Sequence, residues 1–135
     1  MALKLETLCV VLDSGNADAL STFYANLLGW TRYGNAGDEW IVVVSGKNDG
    51  RPELVFQQVE QYLPPVWPDA PEEQRQMLHL DFHVEDLSEG VAHAIACGAT
   101  LSPVQLEDAW RVLLDPAGHP FCILEKKYPH GFPTG

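Results

Sequence analysis

The pattern of this chain is written twice, and that duplication constrains its fold more than any single motif. A mostly apolar stretch from Leu5 to Leu12 runs into Asp13 and then into a helical segment closed by Gly29, while Leu78 to Asp86 leads into another closed by Gly98. The spacings nearly agree, 73 residues between the aspartates (86 − 13) and 69 between the glycines (98 − 29). Gly50-Arg51-Pro52 and Gly118-His119-Pro120 open the last strand of each half, 68 residues apart (118 − 50). Repeated halves bury their apolar faces against a neighbour and commonly leave a site between them.

Each half reads as βαβββ. Ser14-Gly15-Asn16 supplies turn and capping chemistry for a helix from Ala17 to Leu28, on which Leu20, Phe23, Tyr24, Leu27 and Leu28 form one face. Strands are expected over Trp30–Tyr33, Glu39–Val44 and Glu53–Val59, separated by glycine-containing turns. Pro64, Pro65, Pro68 and Pro71 make the stretch 61–76 a crossing linker with a short helix over Pro71–Gln76. The second copy has a strand over Met77–Val84, and a helix opened by Asp86 and Glu89 and ended by Gly98. Strands over Thr100–Val104, Trp110–Leu114 and Pro120–Glu125 complete it. The expectation is one α+β domain: module one at 4–60, linker 61–76, module two at 77–127 and a loosely held tail at 128–135. The two modules would form a curved eight-stranded mixed sheet around a cavity, with the helices on the outer face.

A chain of 135 residues suits one globular domain. Its formal net charge of −11 argues against nucleic acid, whose phosphates need a basic face. No apolar run approaches a membrane span, and no leader pattern opens the chain. Three cysteines, Cys9, Cys97 and Cys122, form no disulfide framework, which points to a reducing cytoplasm.

Strand alternation then sorts the candidate site residues. In the first strand of module two, Leu78, Leu80, Phe82 and Val84 line one face for the helix, and His79, Asp81 and His83 line the other. In module one the same logic assigns Thr7, Cys9 and Val11 to the helix side and Glu6, Leu8 and Val10 to the concave side. His79 reads as a metal ligand, an acid or base, or a hydrogen-bonded pocket histidine. Asp81 and His83 could add a ligand or a proton relay, or simply meet solvent. Cys122 reads as a soft ligand, a nucleophile or a small core residue. Trp40, Phe56 and Trp110 could wall an apolar pocket, or pack a core or dimer seam. The chain carries no phosphate-cradling glycine loop, serine-nucleophile motif or paired-cysteine zinc site.

Three segments carry a family resemblance: the opening with Phe23-Tyr24 and Leu28-Gly29-Trp30, the run His79-Leu80-Asp81-Phe82-His83-Val84-Glu85-Asp86, and Asp115-Pro116-Ala117-Gly118-His119-Pro120-Phe121-Cys122. Together they resemble the vicinal oxygen chelate superfamily of glyoxalase I, extradiol dioxygenases and fosfomycin and bleomycin resistance proteins. With Trp67-Pro68-Asp69, they look most like its glyoxalase-like branch. The resemblance implies paired βαβββ modules around a U-shaped cavity and often a homodimer. It also implies a divalent metal (Zn, Ni, Mn or Fe) held by four side chains, one from the first and one from the last strand of each module. His79, seven residues before Asp86, matches the module-opening histidine, and Glu6, seven before Asp13, matches its counterpart. The last-strand positions hold Cys122 and a residue near Leu54 instead of glutamates, so the metal is expected to be absent or weakly bound.

Two functions follow. One is a lyase-, isomerase- or dioxygenase-type enzyme acting on a small oxygenated metabolite in the cavity, with His79 and Glu6 catalytic. The other is a non-catalytic protein that sequesters an apolar or aromatic compound between Trp40, Phe56, Asp81, His83, Trp110 and Cys122.

Overall fold

Strand alternation and helical apolar stripes build two units of like construction, Met1–Tyr62 and Leu63–Gly135, in the computed structural model, which describes residues 2–46, 48–68 and 70–125. The first holds β1 (Cys9–Ser14), α1 (Ala17–Leu28), β2 (Thr31–Tyr33), β3 (Trp40–Val44) and β4 (Glu53–Gln58). The second holds β5 (Leu80–Val84), α2 (Leu87–Cys97), β6 (Thr100–Leu101), β7 (Trp110–Leu114) and β8 (Pro120–Glu125). Each forms a four-stranded mixed sheet, in the orders β1-β4-β3-β2 and β5-β8-β7-β6. The first strand of each unit runs parallel to its last, and the remaining pairs are antiparallel.

The helix ends follow from their capping chemistry. Asn16 Oδ1 accepts from the Ala19 N–H at 3.0 Å, and Asp86 Oδ1 accepts from the Glu89 N–H at 2.9 Å. Gly29, at φ 68°, closes α1 in a left-handed conformation that a side chain would oppose. The carboxamide of Gln58 clamps the start of α1 from the end of β4, accepting from Ala17 N–H and donating to the Gly15 carbonyl. Arg32 on β2 ties back to α1 through Ser21 Oγ at 3.0 Å and an ion pair with Asp18.

In the first unit Leu20, Phe23 and Tyr24 of α1 pack with Leu12, Ile41, Val43, Leu54 and Phe56 of the sheet. The Tyr24 and Phe56 rings stack at 5.5 Å, and burying each such side chain contributes about 1.5–3 kcal/mol. In the second unit Phe82 and Phe121 meet edge to face at 5.8 Å beside the buried Leu113 and Ile123. Gly90 lets α2 approach this sheet closely, since a Cβ there would lie 3.2 Å from Ile123 Cγ2 and 3.3 Å from Val84 Cγ2.

Several local expectations are corrected. The first strand runs from Cys9 to Ser14, not from Leu5, and its faces are the reverse of those expected. Leu12 and Ser14 are buried on the helix side, whereas Cys9 and Val11 are exposed on the other. β5 starts at Leu80, leaving Met77 and Leu78 exposed ahead of it. β6 stops at Leu101 because Ser102 Oγ turns the chain back onto Val104 and Pro103 cannot donate to a ladder. The stretch 71–76 forms no helix. It is folded on itself through Val66 N–H to the Gln74 carbonyl and Gln74 Nε2 to the Leu63 carbonyl. The tail 128–135, residues 126–127 of module two, Lys47 and Asp69 lie outside the described residues. Among the described residues, no helix is long and apolar enough to cross a membrane.

Candidate functional site

The second sheet gathers its polar chemistry on the face away from α2. Leu80, Phe82 and Val84 turn toward the helix with Phe121 and Ile123, so His79, Asp81 and Cys122 emerge opposite. Asp81 and Cys122 are direct partners across the parallel β5–β8 pair, and His79 stands two residues before Asp81. His79 Nε2 lies 3.2 Å from Asp81 Oδ1. The imidazole nitrogen, carboxylate oxygen and thiol sulfur all lie within 4.8 Å of one another. Backbone register sets Asp81 beside Cys122, and His79, just ahead of β5, brings a third, chemically different donor to the same spot.

The His79 and Asp81 side chains are 44% and 37% exposed, so a ligand can reach both. Burial pushes the Cys122 thiol up to about 11, and the Asp81 charge and its hydrogen bond with the thiol add to the shift. At neutral pH this favours the neutral thiol, with a hydrogen bond to Asp81, and weighs against Cys122 as a nucleophile. His83 continues the same face, half-buried beside Leu124 in register. Trp110 also lies on this face, two residues from Val112, the β7 partner of Cys122.

The first unit distributes its candidates differently. Trp40 begins β3 as Trp110 begins β7, and it is 48% exposed on the face away from α1. Phe56 is in the core against Tyr24, and Leu54 is buried on the same helix-facing side, so neither borders an open face. Glu6 lies ahead of β1 and is exposed.

The equivalence that pairs Glu6 with His79 does not hold. The helix caps are Asn16 and Asp86, 70 residues apart (86 − 16), and Val10 and Leu80 hold matching ladder positions at the same spacing. Counting back 70 from His79 gives Cys9, and from Asp81 gives Val11; the counterpart of Cys122 is Val55. Cys9 and Glu53 are register partners with Sγ 3.9 Å from Oε1. Sequence reasoning passed over this pair. Matching the capping residues, instead of the aspartates, would have revealed it.

Of the positions expected for the family's four donors, Leu54 is an apolar core residue and Glu6 is exposed ahead of its strand. The donors that do converge, His79, Asp81 and Cys122, belong to the second unit alone. A separate cleft of about 270 Å³ is bordered by Gln105, Leu106, Glu107, Asp108 and Arg111. There Arg111 Nη1 donates to the carbonyls of Glu107, Asp108 and Trp110, so it braces the loop.

Residues 9–124 match the model of the glyoxalase-like domain family. Among curated proteins, none matches the chain in sequence. Of the solved structures, a glyoxalase/bleomycin resistance protein/dioxygenase family enzyme from Burkholderia phytofirmans PsJN is 22% identical, covers 87% of this chain and 95% of its own, and has a TM-score of 0.61. TnmS3, an antibiotic binding protein from Streptomyces sp. CB03234, is 16% identical over 94% of this chain and 99% of its own, with a TM-score of 0.58. The fosfomycin resistance protein FosX from Mesorhizobium loti is 8% identical over 96% and 98%, with a TM-score of 0.63. At these identities the likeness is one of fold, and the fold hosts both catalysts and binders.

Proposed function

This chain belongs to the glyoxalase-like domain family, and from that premise we propose that it binds a small oxygenated metabolite on the open face of its second sheet and moves a proton on it. The observation that carries the reading is the His79–Asp81 pair at 3.2 Å beside Cys122. With Nε2–H donated to Asp81, Nδ1 of His79 holds the lone pair and can accept a proton from carbon next to a carbonyl. Asp81 keeps the ring in that tautomer and stabilises the imidazolium that forms. Trp110 supplies an apolar surface for the rest of the ligand. Lyase or isomerase chemistry fits such a pair.

A second reading, sequestration without turnover, is favoured by the apolar first unit. Val11 and Val55 stand where Asp81 and Cys122 do, next to the exposed Trp40 and Tyr33. The family resemblance also supports a homodimer, which light scattering would check, and the unpaired thiols suit a reducing cytoplasm.

A thermal-shift screen of 2-oxo acids, vicinal dicarbonyls and hydroxylated aromatics, repeated with His79→Ala and Trp110→Ala, tests the proposal. Hits that stabilise the wild type, weaken in both variants and turn over only when His79 is present support it. Hits that bind equally to all three proteins place the ligand elsewhere. Binding without turnover in the wild type establishes sequestration.

A further inference from the structure

We propose that His93 and Cys97 of α2 form a chelating pair that takes one borderline-soft divalent cation of the Zn²⁺ class through a nitrogen and a sulfur. The pair includes no strand residue, so it is separate from the open face of the second sheet and independent of the proposed function.

The spacing and the donor chemistry fit such an ion. Residues four apart on a helix stand one above the other, and paired donors at that spacing are one way in which helices hold zinc. Cys97 Sγ lies 3.7 Å from His93 Nε2. Tetrahedral coordination at ordinary Zn–N and Zn–S bond lengths sets two such atoms about 3.6 Å apart. The ion is therefore admitted without a change in the helix. Imidazole nitrogen and thiolate sulfur suit zinc, whereas Ca²⁺ and Mg²⁺ take oxygen ligands.

The place on the helix adds a field of the right sign. Cys97 is the last residue of α2, where the macrodipole puts partial negative charge, and no basic side chain in the last turn offsets it. The net charge of −11 acts in the same direction. His93 is exposed and Cys97 half-buried, so an ion reaches the pair from solvent. The backbone beneath them is held, because Gly98 N–H caps the helix onto the Ala94 and Ile95 carbonyls. On binding, the thiol proton leaves to solvent and a sulfur–metal bond takes its place. Two protein donors leave two of four positions to water, which makes the ion exchangeable, unlike one in a closed structural centre. At the 70-residue spacing of the helix caps, α1 carries Phe23 and Leu27, which offer no donor, so the pair belongs to the second helix alone.

The test uses the whole chain carrying Cys9→Ser and Cys122→Ser, which leaves Cys97 as its one thiol. After chelator treatment it is titrated with Co²⁺, and with Zn²⁺ in competition. One ion per chain is expected, with a thiolate-to-cobalt charge-transfer band. Adding His93→Ala should weaken binding at least tenfold, and adding Cys97→Ser should remove the band. An ion held elsewhere gives no such band, since Cys97 alone supplies sulfur. In a second measurement on the wild type, Zn²⁺ should slow iodoacetamide alkylation of Cys97 at least tenfold, and should fail to do so in His93→Ala. Absence of the band, an affinity within twofold of the parent in His93→Ala, or wild-type Cys97 that Zn²⁺ does not protect overturns the proposal. Circular dichroism verifies that each variant is folded, and the wild-type alkylation requires no substitution.

Discussion

Cys122 offers a direct quantitative check on the environment of the site. In metal-free protein its thiol titrates at about 11 against an ordinary 9.0. Alkylating reagents attack the thiolate, so a thiol held up at about 11 presents about a hundredfold less reactive species at pH 8 than an ordinary one. Timed iodoacetamide pulses in the presence of chelator, followed by peptide mass spectrometry, give the rate, with the exposed Cys9 as internal reference. Simple obstruction would also slow Cys122, but it would not move the pH profile. Here the rate should climb about tenfold per pH unit through pH 9 and level only near 11. Asp81→Asn removes the carboxylate charge and changes its hydrogen bond while leaving burial, the largest cause, in place. It should speed alkylation severalfold without reaching the Cys9 rate. A wild-type Cys122 profile that levels near pH 9, or an Asp81→Asn profile identical to wild type, would refute the reasoning.

Further predictions concern the scaffold. Phe56→Ala should cost about 3–5 kcal/mol in urea unfolding, because the ring is buried against Tyr24; a loss under 1 kcal/mol would contradict a core role. Asn16→Ala should cost about 1 kcal/mol by removing the acceptor for Ala19 N–H, with Asn16→Ser recovering most of it in the same assay. Gly118→Ala should lower stability by about 1–3 kcal/mol, since φ is +88° and the new methyl would sit 2.9 Å from Pro64 Cβ; an unchanged melting temperature would show that the turn relaxes freely.

How much of this was legible follows from which signals are local. The extent of α1 was readable because its apolar stripe, Asn16 and Gly29 all agree, and β7 and β8 were bounded correctly by turn residues. Asp81 and His83 were assigned to the right face because Leu80, Phe82 and Val84 form an apolar alternate within β5, whereas His79 and the exposed Leu78 precede the strand. β1 has no such contrast: Leu8, Val10 and Leu12 alternate with Cys9 and Val11, so either face could serve the helix, and a one-residue error exchanges them. That ambiguity, with Asp13 chosen as the landmark instead of Asn16, displaced the first-strand match by three residues and led to Glu6. The closeness of Cys122 to Asp81 depends on parallel register between strands about forty residues apart, which no local pattern encodes.

The common 70-residue register of β1 and β5 also bears on how such a chain can change over generations. Because alternation separates the helix-facing residues from those opposite, one face of each sheet can accept substitutions while the other preserves the fold. Duplication thus leaves two equivalent surfaces, one of which can keep an inherited chemistry while its twin drifts toward another. Here the second copy holds histidine, aspartate and cysteine, and the first holds valines at two of the three places. Cys9→His with Val11→Asp and Val55→Cys would write the same three donors there, a route to a second centre that needs no change in any helix or turn.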